Sequence, residues 1–351
     1  MSNVYAGNLK QLVEEKLISE ELIDDAVLRV LRLKNSLGLF EDPYKNIDNR
    51  EEKVFLSNKE NLELARKLTT KTIVLPLNNK QKIALIGPYA DNIAILGSWS
   101  MFSDKSKITT LKEAFEAKIG KENVIYTKGS EILEEREINQ ILQSDGGTMI
   151  HTENEEEKLT QYLKEAKEAA KQADVIVLAI GEHYRQSGEA CSRANIDISN
   201  IQKRLVNELA KLNKKIVAIM FNGRPIVLRD ISEKVNGLLE AWFPGTEGAN
   251  AIADIIFGYA NPSAKLTMSF PQATGQCPIY YNHYNTGRPH ESNVRYVSRY
   301  QDIPTESYYP FGYGLSYSKF IYSCLNLSNK VLTKDSKIKG FKMYIILIKI
   351  E

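Results

Sequence analysis

The chain has 351 residues, 43% of them hydrophobic and 26% charged, the make-up of an ordinary globular protein with apolar content enough for a sizeable core. Its 46 Lys and Arg against 44 Asp and Glu give a formal net charge of +2, so nothing points to a nucleic-acid partner. No run of about 18 apolar residues reads as a membrane span, and Cys191, Cys277 and Cys324 have neither disulfide-framework nor zinc-ligand spacing, so no metal or other cofactor is expected.

The chain opens as helix. Leu9, Leu12, Val13, Leu22, Ile23, Val27, Val30, Leu31 and Leu33 recur at spacings of three and four, forming apolar helical faces. Ser19 before Glu20 and Glu21 reads as a second start signal, a cap followed by acids that suit the positive end of the helix dipole. Gly38 and then Pro43 mark the stop. Met1 leads into polar Ser2 and Asn3 rather than a basic and then apolar leader, which leaves the compartment open. The single Asn-X-Ser match, at Asn326, is read as chance.

From residue 82 the pattern changes. KIALIGP (82–88), NVIYTKG (123–129), ADVIVLAIGE (173–182), KIVAIMFNGRPI (215–226) and GLLEAWFPG (237–245) are short apolar runs closed by Gly, Pro or Asn. Helical stretches at 109–120, 155–172, 200–213 and 247–258 lie between or after them. This alternation predicts an α/β fold, a three-layer α/β/α sandwich with a mainly parallel sheet, preceded by a helical linker. KLTMSFP (265–271) is expected to add an edge strand. In such sheets the loops at the carboxyl ends of the strands face the ligand crevice.

Neither GxGxxG nor GxxxxGK[ST] occurs, and GPYADN after the first strand offers no phosphate nest, which disfavours a nucleotide site. GxSxG is absent too, which disfavours a serine hydrolase. Carboxylates remain. GEHYRQSGEACSR (181–193), which ends the third strand, holds Glu182, His183, Arg185, Glu189 and Arg193. Glycoside hydrolysis needs one carboxyl group to protonate the leaving oxygen and a second to act as nucleophile or to activate water. Glu189 suits the first role, because Gly188, Ala190 and Cys191 leave room for a sugar and Arg193 is close in sequence. Read from local sequence alone, Glu182 and Glu189 fit solvated loop carboxylates paired to Arg185 or Arg193 better than catalytic ones, and His183 fits a satisfied loop or core histidine better than a proton shuttle.

The order of segments resembles the carboxyl-terminal half of a glycoside hydrolase family 3 β-glucosidase. LVEEKLISEELIDDAVLRVLRLKNSLGLFEDPY resembles that family's closing barrel helix and linker; IALIGPYADN followed by GSWS resembles the first strand of its sandwich domain; and VLAIGEHYRQSGEACSR resembles the strand and loop carrying the acid/base. FNGRPIVL, EAWFPGTEGANAIADIIFGYANPSAKLTMSFP, PIYYNHYNTGRP, SRYQDIP and YYPFGYGLSYSKF follow in family order.

The resemblance implies a last barrel-type helix and linker at 1–44, a sandwich domain at 45–322, and a truncated start of a fibronectin III-like domain or an irregular tail at 323–351. It implies Glu189 as acid/base, since the family places that glutamate four positions before an arginine, here Arg193, and gives Glu182 a structural role at the strand end. Trp99, Arg193 and His183 become the candidate substrate-binding residues. Trp99 is expected either near the aglycone subsite or packing its loop. Trp242, Phe243 and the tyrosines of YYPFGYGLSY are expected to pack core and seams, and Asn285-Thr286-Gly287-Arg288 to form a turn.

The family's (β/α)8 barrel, which carries the aspartate nucleophile and most of the glycone pocket, has no counterpart in this sequence, and TIVLPLNN near residue 75 is shorter than the usual strand and loop. The chain therefore reads as a fragment of a retaining β-glucosidase acting on a β-linked oligosaccharide or aryl glucoside, inactive alone. The alternative is a non-catalytic carbohydrate-binding or assembly module completed by a separate barrel chain. Full-length relatives are often periplasmic or secreted, which leaves the localisation of this chain unknown.

Overall fold

A computed structural model describes residues 4–42, 75–100, 103–144, 146–284, 288, 295–323 and 344–349. The chain divides into two compact units, Met1–Leu62 and Glu63–Glu351. The expected boundary at residues 44 and 45, the predicted turn at Asn285, Thr286 and Gly287, and Cys324 lie outside the described residues.

The first unit contains α1 (Val4–Glu14) and α2 (Glu20–Ser36). Ser19 takes the extended cap conformation that the sequence predicts, but its side chain makes no capping hydrogen bond. No residue of α2 is buried, and Leu22, Val27, Val30, Leu31 and Leu33 are exposed.

The second unit is built on five strands, β1 (Ile83–Ile86), β2 (Val124–Thr127), β3 (Val175–Gly181), β4 (Lys215–Phe221) and β5 (Gly237–Glu240). They pair in the order β2-β1-β3-β4-β5, every pair parallel. Among the described residues six helices accompany them: α3 (Leu111–Ile119), α4 (Glu135–Ser144), α5 (Glu155–Gln172), α6 (Asn200–Ala210), α7 (Arg229–Ser232) and α8 (Gly248–Ile256). The start of α3 is fixed by a capping box: Thr110 accepts from Glu113 N, and the Glu113 carboxylate accepts from Thr110 N at 2.8 Å.

Strand period explains the layering. Ile83, Leu85, Val175, Val177, Val217 and Ile219 face one core with Phe115 of α3 and Ile252 of α8. Their neighbours Ala84, Ile86, Ile176, Leu178, Ala218 and Met220 face the opposite core with Ala166 of α5 and Leu205 of α6. Both faces of the sheet are thus covered, as parallel strands require, and this is the expected three-layer sandwich.

KLTMSFP does not join the sheet, contrary to the expectation. Its hydrogen-bonding groups are occupied elsewhere: Leu266 N donates to Tyr313 O at 2.8 Å, Gly312 N to Leu266 O at 2.7 Å and Phe270 N to Tyr309 O at 2.8 Å. The alternation of Leu266 and Phe270 with polar residues specified an extended segment but not its partner, which is the YYPFGYG stretch, and β5 is left as the sheet edge. TIVLPLNN contributes no strand over its described residues, 75–79. Past the sandwich, β6 (Ser318–Ser323) and β7 (Tyr344–Lys349) form a separate antiparallel pair.

Candidate active site

Strand order reverses direction between β1 and β3, so the crevice outside their carboxyl ends is where a ligand is expected. The loop 181–193 leaves β3 at that point. Gly181 is needed there, because a Cβ on it would lie 1.9 Å from Phe221 O of the neighbouring strand. Tyr89, following β1, stacks on Phe221 with ring centroids 4.9 Å apart and donates its hydroxyl to Glu182 O at 2.5 Å, tying three strand ends together. Burial, reinforced by the Glu182 charge, pushes the Tyr89 phenol up, so it acts here as a hydrogen-bond donor.

The two glutamates of the loop sit in opposite surroundings. Glu182 is only 1% exposed. Its Oε1 lies 3.0 Å from Arg193 Nη1 and 3.0 Å from Arg224 Nε, and its Oε2 accepts from Gly223 N at 3.2 Å. With both oxygens occupied and no access, it cannot hand a proton to a bound substrate. Arg193 also donates to Asp197 O at 2.8 Å, and Arg224 donates to Cys191 O at 2.6 Å and to Gln186 O. The loop is therefore folded around two guanidinium groups whose charge Glu182 balances.

Glu189 is exposed, between Gly188 at φ 107° and Ala190 at φ 58°. Its carboxylate has no hydrogen-bond or ion-pair partner among the described residues; only its carbonyl is engaged, accepting from Cys191 Sγ at 3.1 Å. Arg193, read from the sequence as a neighbour of Glu189, instead engages Glu182. Trp99 does stand beside Glu189's loop: a Cβ on Gly188 would lie 3.2 Å from Trp99 Nε1. The Trp99 side chain is 67% exposed, so it does not pack its loop and its indole face is open for stacking.

His183 is partly buried, and its Nδ1 accepts from Arg185 N at 3.2 Å, which leaves the ring proton on Nε2. Burial, and after it the Arg185 charge, lowers its pKa to about 4, so it is a neutral imidazole over the physiological range. It also lines a cavity of about 220 Å³ with Glu131, Glu135 and Lys158. Among the described residues no cluster of three or more His, Cys, Asp or Glu side chains could hold a metal ion, and no helix is long and apolar enough to cross a membrane.

The glycosyl hydrolase family 3 C-terminal domain model matches residues 56–317. The chain belongs to glycoside hydrolase family 3. It is similar to a periplasmic beta-glucosidase of Salmonella typhimurium, 37% identical over an alignment 350 residues long that covers 95% of this chain and 45% of that protein. A beta-xylosidase of Formosa agariphila is 28% identical, over 94% of this chain and 44% of that protein. Among solved structures, a beta-glucosidase from Listeria innocua in complex with gluconolactone aligns with a TM-score of 0.76 at 39% identity, covering 93% of this chain and 43% of that one. This family 3 chain spans about half the length of the curated relatives it matches.

Two residues of this family 3 domain escaped the sequence reading. Arg224, in FNGRP, follows β4, and the parallel register that sets Gly181 opposite Phe221 brings it to Glu182; spacing along the sequence carries no signal of that pairing. Glu240, the last residue of β5, is buried at 9% exposure, with Oε1 accepting from Trp242 N at 3.1 Å and Oε2 lacking a donor. Desolvation raises its pKa from 4.5 to about 8 against the smaller, opposing pull of the Trp242 N–H and the neighbouring Asn222 amide.

The sign of this shift sets a pH dependence. The folded chain keeps a proton on Glu240 that the unfolded chain gives up above 4.5, so the stabilisation is complete below that pH and is lost as pH rises through about 8. Glu240→Gln removes the titration. Urea unfolding at pH 5 and at pH 8 should show the variant gaining on the natural chain by on the order of a few kcal/mol between the two; parallel pH profiles would mean that Glu240 titrates normally.

Proposed function

We propose that this chain supplies the general acid/base of a retaining β-glucosidase, with Glu189 as the proton-transferring group and the nucleophile carried by a family (β/α)8 barrel. The observation that supports this most is the contrast between the two loop glutamates: Glu182 is enclosed by Arg193, Arg224 and Gly223, whereas Glu189 is exposed and its carboxylate is free among the described residues. In the first step Glu189 protonates the glycosidic oxygen as the barrel aspartate attacks the anomeric carbon. In the second it takes a proton from water, which releases the sugar from the covalent intermediate. Retention requires the two carboxyl groups at ~5 Å.

Trp99, beside Gly188, is suited to stack on the leaving-group side of the substrate, a β-linked oligosaccharide or an aryl glucoside. Arg193 contributes by holding the loop through Glu182, and neutral His183 can donate from Nε2 without adding charge.

The test is to assay the chain alone and joined to a family 3 barrel against p-nitrophenyl β-glucoside. The chain alone should show no turnover above buffer, and the joined protein should hydrolyse the substrate with retention at the anomeric carbon. Turnover by the chain alone, or inversion by the joined protein, would refute the assignment.

A further inference from the structure

Outside the site just described, the open edge of β5 borders a cavity of about 210 Å³. Gly237, Leu238 and Glu240 form one wall, and the segment that declined to join the sheet, with Leu266 and Phe270, forms another, closed by Tyr309 and Leu315. The lining is mostly aliphatic and aromatic.

Its polar groups are almost all occupied. Ser232 Oγ and Tyr309 Oη bond each other at 2.5 Å, Asn236 Oδ1 accepts from Ile216 N at 2.8 Å, and Lys265 Nζ donates to Gly314 O. The one buried side-chain oxygen or nitrogen of the lining that lacks a hydrogen-bond partner among the described residues is Oε2 of Glu240, in a side chain only 9% exposed. A buried polar atom in that condition is costly unless something meets it. Trp242, also in the lining, has φ 53°, a conformation that bulky residues rarely adopt and that recurs at ligand clamps. Its ring lies 5.7 Å from that of Phe270.

We propose that this cavity binds a neutral single-ring molecule carrying one hydroxyl group, with the ring against Trp242 and Phe270 and the hydroxyl on Oε2 of Glu240. Size allows it, since an apolar cavity of about 150 Å³ is enough for benzene. An anion would face the carboxyl group of Glu240, and Lys265, the cation of the lining, is exposed to solvent. A sugar would bury several hydroxyls against a wall that offers one partner. A single hydroxyl suits the carboxyl group in either protonation state, since it can both donate and accept. The site stands apart from the acid/base assignment and does not depend on it.

The experiment uses the full chain with phenol, toluene and glucose as probes. The sequence has two tryptophans, so Trp99→Phe leaves Trp242 as the only indole fluorophore. Phenol should change the Trp242 emission saturably, toluene should bind about tenfold more weakly for want of one hydrogen bond, and glucose should have no effect. Ala264→Phe, at a partly exposed lining position, should abolish the phenol response with the thermal unfolding midpoint little changed. Glu240→Leu should bring phenol to within about twofold of toluene; if that variant does not fold, the probe series and Ala264→Phe still decide. Equal binding of phenol and toluene, a phenol response that survives Ala264→Phe, a response to glucose, or no saturable response would each overturn the proposal.

Discussion

Glu189→Gln, introduced into an enzyme assembled from this chain and a family barrel, is expected to lower kcat/KM on an aryl β-glucoside with a poor leaving group by about 10²–10⁴-fold, the range of general acid catalysis. The loss should depend on the leaving group in a way that only a proton donor explains. A dinitrophenyl glucoside leaves as a stable anion without protonation, so the first step should be nearly spared and the second, which needs the base, should become rate-limiting. Azide needs no base to attack the glycosyl intermediate. It should therefore restore turnover of the dinitrophenyl substrate and yield the β-glycosyl azide. An equal loss on all leaving groups, with no response to azide, would remove Glu189 from the role. The exposure of Glu189, with no partner for its carboxylate among the described residues, makes the prediction specific, because no fold-level interaction is lost with the charge.

Glu182→Gln should behave in the opposite manner. Glu182 balances Arg193 and Arg224 in a site with almost no solvent access, so neutralising it leaves two partly buried guanidinium groups facing each other. Breaking a buried pair in this way costs about 3–5 kcal/mol. Urea unfolding of the isolated chain should register the loss as a lower midpoint at unchanged slope. Arg193→Met on the same background should cost less than it does alone, with a coupling of about 0.5–3 kcal/mol, because the charge it removes is by then unbalanced. Additive effects would show that the pair is not an energetic unit. In the assembled enzyme, whatever Glu182→Gln removes from activity should be uniform across leaving groups and unaffected by azide.

The sandwich was readable because its parallel strands are short apolar runs, buried on both faces at the centre of the sheet and each closed by Gly, Pro or Asn, and the helices between them carry ordinary apolar faces. Helix α4 was not assigned, although Ile138, Ile141 and Leu142 of EREINQILQS recur at helical spacing, because that pattern covers a single repeat in ten residues. KLTMSFP was read as extended but assigned to the wrong partner, since period-2 alternation specifies a face and not a neighbour. In the loop, spacing to Arg193 and family resemblance picked out Glu189, and Glu182 was placed at the strand end. What sequence order could not supply was Arg224, which reaches Glu182 only through the register of β3 on β4. The burial of Glu240 was hidden for a related reason: a glutamate ending an edge strand looks solvated until the ribbon that covers it is known.

The floor of the crevice has a bearing on how such a domain can change over time. At Gly181 a side chain would collide with Phe221 O at 1.9 Å, and at Gly223 it would meet Ser187 Oγ at 2.2 Å. Every substitution at these two positions adds atoms where there is no room, so the backbone that fixes the base of the loop admits almost no mutational drift. The rim is restricted only at its glycines, Gly97 and Gly188, which hold φ 81° and 107°; the side chains of Trp99 and Glu189 are exposed and can vary without disturbing the strands beneath. Under the proposed role, heritable variation in which leaving group is accepted accumulates on the rim, while the floor transmits the same proton-transfer geometry from one descendant to the next.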